Sequence, residues 1–211
     1  MTSVLQTPLR IGGTTTVRNR LYRAPVLEGA GDGPDCTERY ARAFVPNAEA
    51  GVGLIIQGSA CIYPEGRSSP GMTLVHRRDQ VARLAPMVEA VHRAGSAIWL
   101  QAGHGGLYAM EAWHEPWASR RRDPLLVASK PRALLRPLFR GKPVHVMSTA
   151  EVRAMAERYG QVASWARQAG YDGLQLASST RSCSTSSSPR STTGAPTSSV
   201  ARSHGGPTSS R

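Results

Sequence analysis

Apolar positions along this chain follow two alternating rhythms. Short continuous runs, GVGLIIQGSACIY, SAIWLQAGHGG and DGLQLA, have the composition of strands buried on both faces of a parallel sheet. Between them lie stretches with helical spacing. Residues 36–50, CTERYARAFVPNAEA, are mostly helix formers, and Pro46 is expected to end or kink that run. Residues 77–94 place Val81, Leu84, Val88 and Val91 on one helical face, with Pro86 as an interruption and Gly95 as the stop. Ser148 and Glu151 make a helix start, and that helix is expected to reach Ala169, with Gly170 ending it. Upstream, TPLRIGGTTTVRNR reads as a hairpin about Gly12-Gly13, and RLYRAPVL (Arg20 to Leu27) as a first strand. The order is hairpin, β, α, β, α, β, long loop, α, β. Buried strands alternating with helices predict an α/β fold with a parallel sheet. Four such strands make half of an eight-stranded barrel or a small open sheet.

Composition narrows the functional classes. The chain has 211 residues and a formal charge of +12. Two blocks carry much of that charge: the acid-free segment from Thr180, and Arg120 to Lys142, RRRDPLLVASKPRALLRPLFRGK. Neither has the interleaved aromatics of an RNA-binding sheet or a helical reader, so the long block reads as a solvated loop and nucleic acid is not an expected partner. No apolar run approaches the roughly 18 residues needed to span a bilayer. MTSVLQTPLR lacks the basic-then-apolar order of a secretion signal, so no membrane partner is expected and the expected location is cytoplasmic. Cys36, Cys61 and Cys183 are widely spaced and odd in number, which fits isolated thiols. His76, His92, His114 and His145 have no partner at metal spacing, so no metal is expected. His104, within QAGHGG, reads as a hydrogen-bonded core histidine.

Four stretches, PLRIGGTTTVRNRLYRAP, AGVGLIIQGSACIYPEGR, AIWLQAGHGG and AGYDGLQL, occur in the order and at about the spacing of one enzyme family. Over residues 5–179 the chain resembles the old yellow enzymes, the FMN-dependent NADH:flavin oxidoreductases. The resemblance implies the N-terminal half of a (β/α)8 TIM barrel behind an N-terminal β-hairpin. It implies FMN at the C-terminal ends of the strands, NAD(P)H as reductant, and a small α,β-unsaturated substrate. It places Pro25, Val26 and Leu27 against the flavin ring, Ser59 where a small residue lets the ring pass, and Gln101 at the pyrimidine edge. An amide offers both a donor and an acceptor, which suits an edge presenting both.

The chain departs from that family after its last strand. The family holds the substrate oxygen with two side chains just beyond strand four. Here those slots are Ala177, which has no donor, and Thr180. No catalytic residue is therefore assigned. From Thr180 to Arg211 the chain contains no Leu, Ile, Met, Phe, Tyr or Trp. Residues 1–179 are expected to form a partial FMN-binding domain, and residues 180–211 a disordered Ser/Thr/Arg-rich tail. Back-translated and read one nucleotide earlier, Thr180 to Ser203 can encode NAKLLDQFLSPFYNRRTDEFGGSL, the segment that follows strand four in the family. A frameshift is thus expected, leaving a truncated and inactive chain, with a genuine Ser/Thr-rich disordered linker as the rival reading of the tail. The alternative is a non-catalytic half-barrel that binds or oligomerises.

Overall fold

The computed structural model describes residues 3–109, 120, 122–131, 133 and 142–177. The expectations for a disordered tail, and the residues Thr180, Cys183 and His114, lie outside them. β1 (Leu9–Ile11) and β2 (Thr15–Val17) form an antiparallel hairpin. Gly12 and Gly13 turn it at φ 59° and 77°, the left-handed region that glycine enters without a Cβ clash. β3 (Tyr22–Arg23), β4 (Leu54–Cys61), β5 (Ala97–Gly103) and β8 (Gly173–Leu176) make one parallel sheet in the order β3-β4-β5-β8. That order matches the first half of a barrel, as expected.

Helices cover one side of this sheet. α1 (Cys36–Glu49) buries Cys36, Tyr40, Phe44 and Ala48, a strict i, i+4 stripe. It does not end at Pro46, as one of the two expected outcomes had it, but continues to Glu49. Pro46 lies in the last turn, where only one backbone bond is lost, and Phe44 and Ala48 anchor the helix on either side. The expected helix over 77–94 is two helices, α2 (Arg78–Ala82) and α3 (Ala85–Arg93). Pro86 stands in the first turn of α3, where a missing N–H costs nothing, so it marks a start. α4 (Thr149–Gln168) begins with the expected capping box, Ser148 and Glu151 each bonding the other's backbone.

Two expectations about strands need correcting. The first strand shrinks to Tyr22–Arg23, and contact with β4 resumes only as a single bridge, Leu27 to Gly58. The basic segment is not all loop. β6 (Leu125–Val127) pairs in parallel with β7 (Val144–Val146), with Leu125 and Val127 buried.

The main core lies between sheet and helices and includes Phe44, Ile55, Leu84, Val88, Ile98, Leu100 and Val162. A smaller cluster on the other side joins Val17 to Leu54 and Ile56, with Leu9, Ile11, Ala97 and Trp99 packed against it. The hairpin therefore plugs the inner side of the sheet at its N-terminal end. Thr15 Oγ1 donates to the Asp172 carbonyl at 3.1 Å and fastens it there. No described helix is long and apolar enough to cross a membrane.

Candidate functional site

With the N-terminal end plugged, the strands' C-terminal ends form the open rim. β5 alternates burial along its length, with Ile98, Leu100 and Ala102 toward the helices and Ala97, Trp99 and Gln101 on the inner side. Gln101 pairs in register with Gln175 of β8. One pleat further on, Gly103 and Ala177 come together: a Cβ built on Gly103 would lie 2.7 Å from Ala177 Cβ and 3.4 Å from Ser59 Oγ. Ser59, Gln101 and Ala177 thus converge on one inner surface.

β4 reaches that surface through an irregularity. Its register with β5 slips between Gln57 and Ala60, which is where Gly58 and Ser59 sit. Gly58 is required by close approach. A Cβ there would stand 2.6 Å from the Val26 nitrogen and 2.8 Å from the Pro25 carbonyl carbon. The 25–27 backbone lies directly against β4, with Pro25 half-buried and Val26 and Leu27 exposed at 58% and 41%. Pro25, Val26, Leu27, Ser59, Gln101 and Ala177 are therefore at the same end of the sheet. Gly58 and Gln175 were missed. A glycine inside an apolar strand was the available signal for the first.

The rim is braced from behind by a buried polar chain. Tyr171 Oη donates to Gln57 Oε1, and Tyr40 Oη lies 2.8 Å from Thr73 Oγ1, which donates to the Gly31 carbonyl at 2.8 Å. Burial pushes the Tyr40 phenol up to about 12, and burial likewise raises Tyr171 well above its ordinary value, so both remain neutral donors. Glu28 follows the 25–27 segment and pairs with Arg23 at 2.7 Å. Burial raises its carboxyl above the usual range despite that partner. Arg23 also lies over the Phe44 ring, 5.0 Å from its centroid.

His104 is buried, and its Nδ1 accepts from the Gly106 N–H at 3.1 Å, as expected of a core histidine. Cys36 and Cys61 are buried and form no disulfide among the described residues, and the Cys61 thiol donates to the Tyr63 carbonyl. A cleft of about 400 Å³ between α4 and β8, lined by Ser164, Arg167, Asp172 and Leu174 among others, opens at the start of β8 and away from the rim.

A family model described as the NADH:flavin oxidoreductase / NADH oxidase family matches residues 4–180. The chain belongs to that family. A relative in Klebsiella pneumoniae, NADH:fumarate oxidoreductase, is 28% identical over 177 residues, covering 80% of this chain and 17% of its own length. Morphinone reductase in complex with tetrahydroNAD superposes with a TM-score of 0.62 at 24% identity, over 83% of this chain and 49% of that one. Old Yellow Enzyme from Pichia gives 0.65 at 20% identity, over 82% and 45%. The chain thus spans half or less of the length of these relatives. Both solved neighbours are (β/α)8 barrels, and the four parallel strands behind a hairpin are the N-terminal half of that fold.

Proposed function

We propose that residues 1–179 carry the ring-binding side of an FMN-dependent NAD(P)H oxidoreductase of the ene-reductase type. The observation that carries this reading is the convergence of Pro25, Ser59, Gln101 and Ala177 on one rim. The surface fits a flavin ring. Gly103 and Ala177 leave a low floor, Val26 and Leu27 offer exposed apolar flank, and the half-exposed Gln101 amide supplies a polar edge. Pro25, Val26 and Leu27 would lie along the ring, Ser59 beside it, and Gln101 at its pyrimidine edge. Bound FMN supplies hydride transfer from NAD(P)H to the carbon β to a carbonyl or nitro group.

The chain's own residues orient the ring but do not complete the reaction site. Ala177 presents a methyl group where the family places a donor for the substrate oxygen, and removing such a donor costs about 100- to 1,000-fold in rate. Phosphate recognition needs convergent backbone N–H groups. In this reading they come from the part of the relatives that this chain does not span. The segment from Thr180 is read as the product of a shifted frame. The 211-residue polypeptide is accordingly inactive as an ene-reductase. One observation favours a second reading, a half-barrel that pairs with another copy. Both outer strands expose large apolar side chains, Tyr22 at 62% and Leu176 at 54%.

Flavin fluorescence titration of the 211-residue chain and of the frame-restored polypeptide tests the proposal. FMN should bind the first weakly or not at all and the second tightly; the first should not reduce an enone with NADPH, and the second should do so at the family's rate only once Ala177→His is added. Tight stoichiometric binding by a dimer of the 211-residue chain would replace the main reading with the second. No flavin binding by either polypeptide would remove both.

A further inference from the structure

Gln101 and Gln175 stand opposite each other on neighbouring parallel strands, in a register that also aligns Trp99 with Gly173 and Ala102 with Leu176. Both side chains rise from the inner face, one pleat below Gly103 and Ala177. Gln101 Nε2 donates to Gln175 Oε1 at 2.8 Å. Among the described residues of β8, Gln175 carries the one polar side chain on this face. Its same-face neighbours on β8, Gly173 and Ala177, carry no polar side chain, and Gly173 is pressed against the Trp99 indole. On β5, the same-face neighbours of Gln101 are Trp99 and Gly103.

A glutamine amide turns about a broad, roughly two-fold terminal torsion, and its two ends present opposite hydrogen-bonding patterns. Unrestrained, Gln101 would offer donor and acceptor interchangeably. While Gln175 presents Oε1, as it does here, one Gln101 N–H is committed to it and the remaining N–H and Oε1 keep fixed places. Neither amide titrates, so this edge does not change with pH.

We propose that Gln175 is a positioning residue, holding the Gln101 amide in one orientation so that the rim presents a fixed donor–acceptor edge to the polar edge of a flat heteroaromatic ring. The ligand part rests on the flavin reading above; the positioning part does not.

The experiment compares Gln175→Met, which removes the acceptor at similar volume, with Gln175→Glu, which keeps an acceptor. Side-chain amide signals are read by ¹⁵N NMR, with Gln101 assigned by its loss in Gln101→Met. Gln175→Met should raise water exchange of the Gln101 amide about 2- to 10-fold, the range expected for one neutral hydrogen bond, and Gln175→Glu should leave it protected. Where Gln175→Met does not fold, Gln175→Ser removes the same reach without adding apolar surface. Unchanged exchange in the folded variant overturns the proposal. Riboflavin is the binding probe. Its affinity should fall about 2- to 10-fold in Gln175→Met, recover in Gln175→Glu, and be no worse in Gln101→Met/Gln175→Met than in Gln101→Met alone. Additive losses would show that Gln175 acts on the ligand directly and would also overturn it. If neither wild type nor the frame-restored polypeptide binds riboflavin, the flavin reading fails, while the exchange data still decide the positioning.

Discussion

On the helix side of the sheet, Ile55, Ile98 and Leu100 have no exposed surface, whereas on the inner side Trp99, Gln101 and Gln175 are only half-buried. β5 supplies both sets, with β4 adding to the first and β8 to the second. Period-two alternation sends adjacent residues to opposite environments, so stability and recognition are separated by a single position in the chain. The helix side is filled by branched apolar groups that meet α1, α3 and α4. The inner side is plugged by the hairpin at one end and lined at the other by Ser59, Gly103 and Ala177, whose small size keeps the rim low.

The widest test of this division uses neighbours. Leu100→Ala should cost about 2–5 kcal/mol by cavity formation, while Gln101→Ala should cost under about 1 kcal/mol and act on flavin affinity instead. Urea denaturation of both variants, followed by riboflavin titration, checks the pair. Equal stability losses would mean that the inner face is also core.

Gly58→Ala probes the place where the two sides meet. The new Cβ would press on the backbone of Pro25 and Val26, which cannot rotate away as a side-chain tip could. A loss of about 1–3 kcal/mol in the same denaturation assay, with weakened flavin binding, is expected. Normal binding would detach the 25–27 segment from the site.

The smallest effect concerns a surface cap far from the rim. Glu151 accepts from the Ser148 backbone N–H at 2.7 Å and pairs with His145 at 2.8 Å. The Ser148 backbone bond, then His145, holds its carboxyl down at about 2. Because this lies below the usual carboxylate range, its stabilisation is complete above that range and disappears as pH falls through about 2. The melting-temperature gap between wild type and Glu151→Gln should therefore close on acidification. A gap that stays open would assign the effect to helix shape rather than to charge.

What the sequence disclosed depended on how local the cause was. β4 and β5 announced themselves as unbroken apolar runs, and α4 by the Ser148–Glu151 box, because each signal lies within a few residues. β6 and β7 were hidden. Their three-residue stretches, LLV and VHV, sit among arginines, lysines and prolines, and only pairing with each other makes them strands. The prolines misled for a related reason. Pro46 is tolerated because burial of Phe44 and Ala48 outweighs one lost bond, and Pro86 because a helix begins just before it. At the proposed site, Pro25, Ser59 and Gln101 were singled out through family resemblance. Gln175 was not, since its meaning comes from a register partner 74 residues away.

That separation bears on how the molecule assembles. Ser96, just before β5, bonds to Val52, just before β4, across 44 residues, while β8 reaches β5 across 74. Loop-closure entropy grows so slowly that the longer step costs only about 0.5 kcal/mol more. Timing of synthesis matters more than that difference. A nascent chain can join β3, β4 and β5 under α1 and α3 before α4 has left the ribosome. Until β8 arrives, β5 is an open parallel edge backed by Ile98 and Leu100, the stage at which a growing chain is most exposed to mispairing with its neighbours.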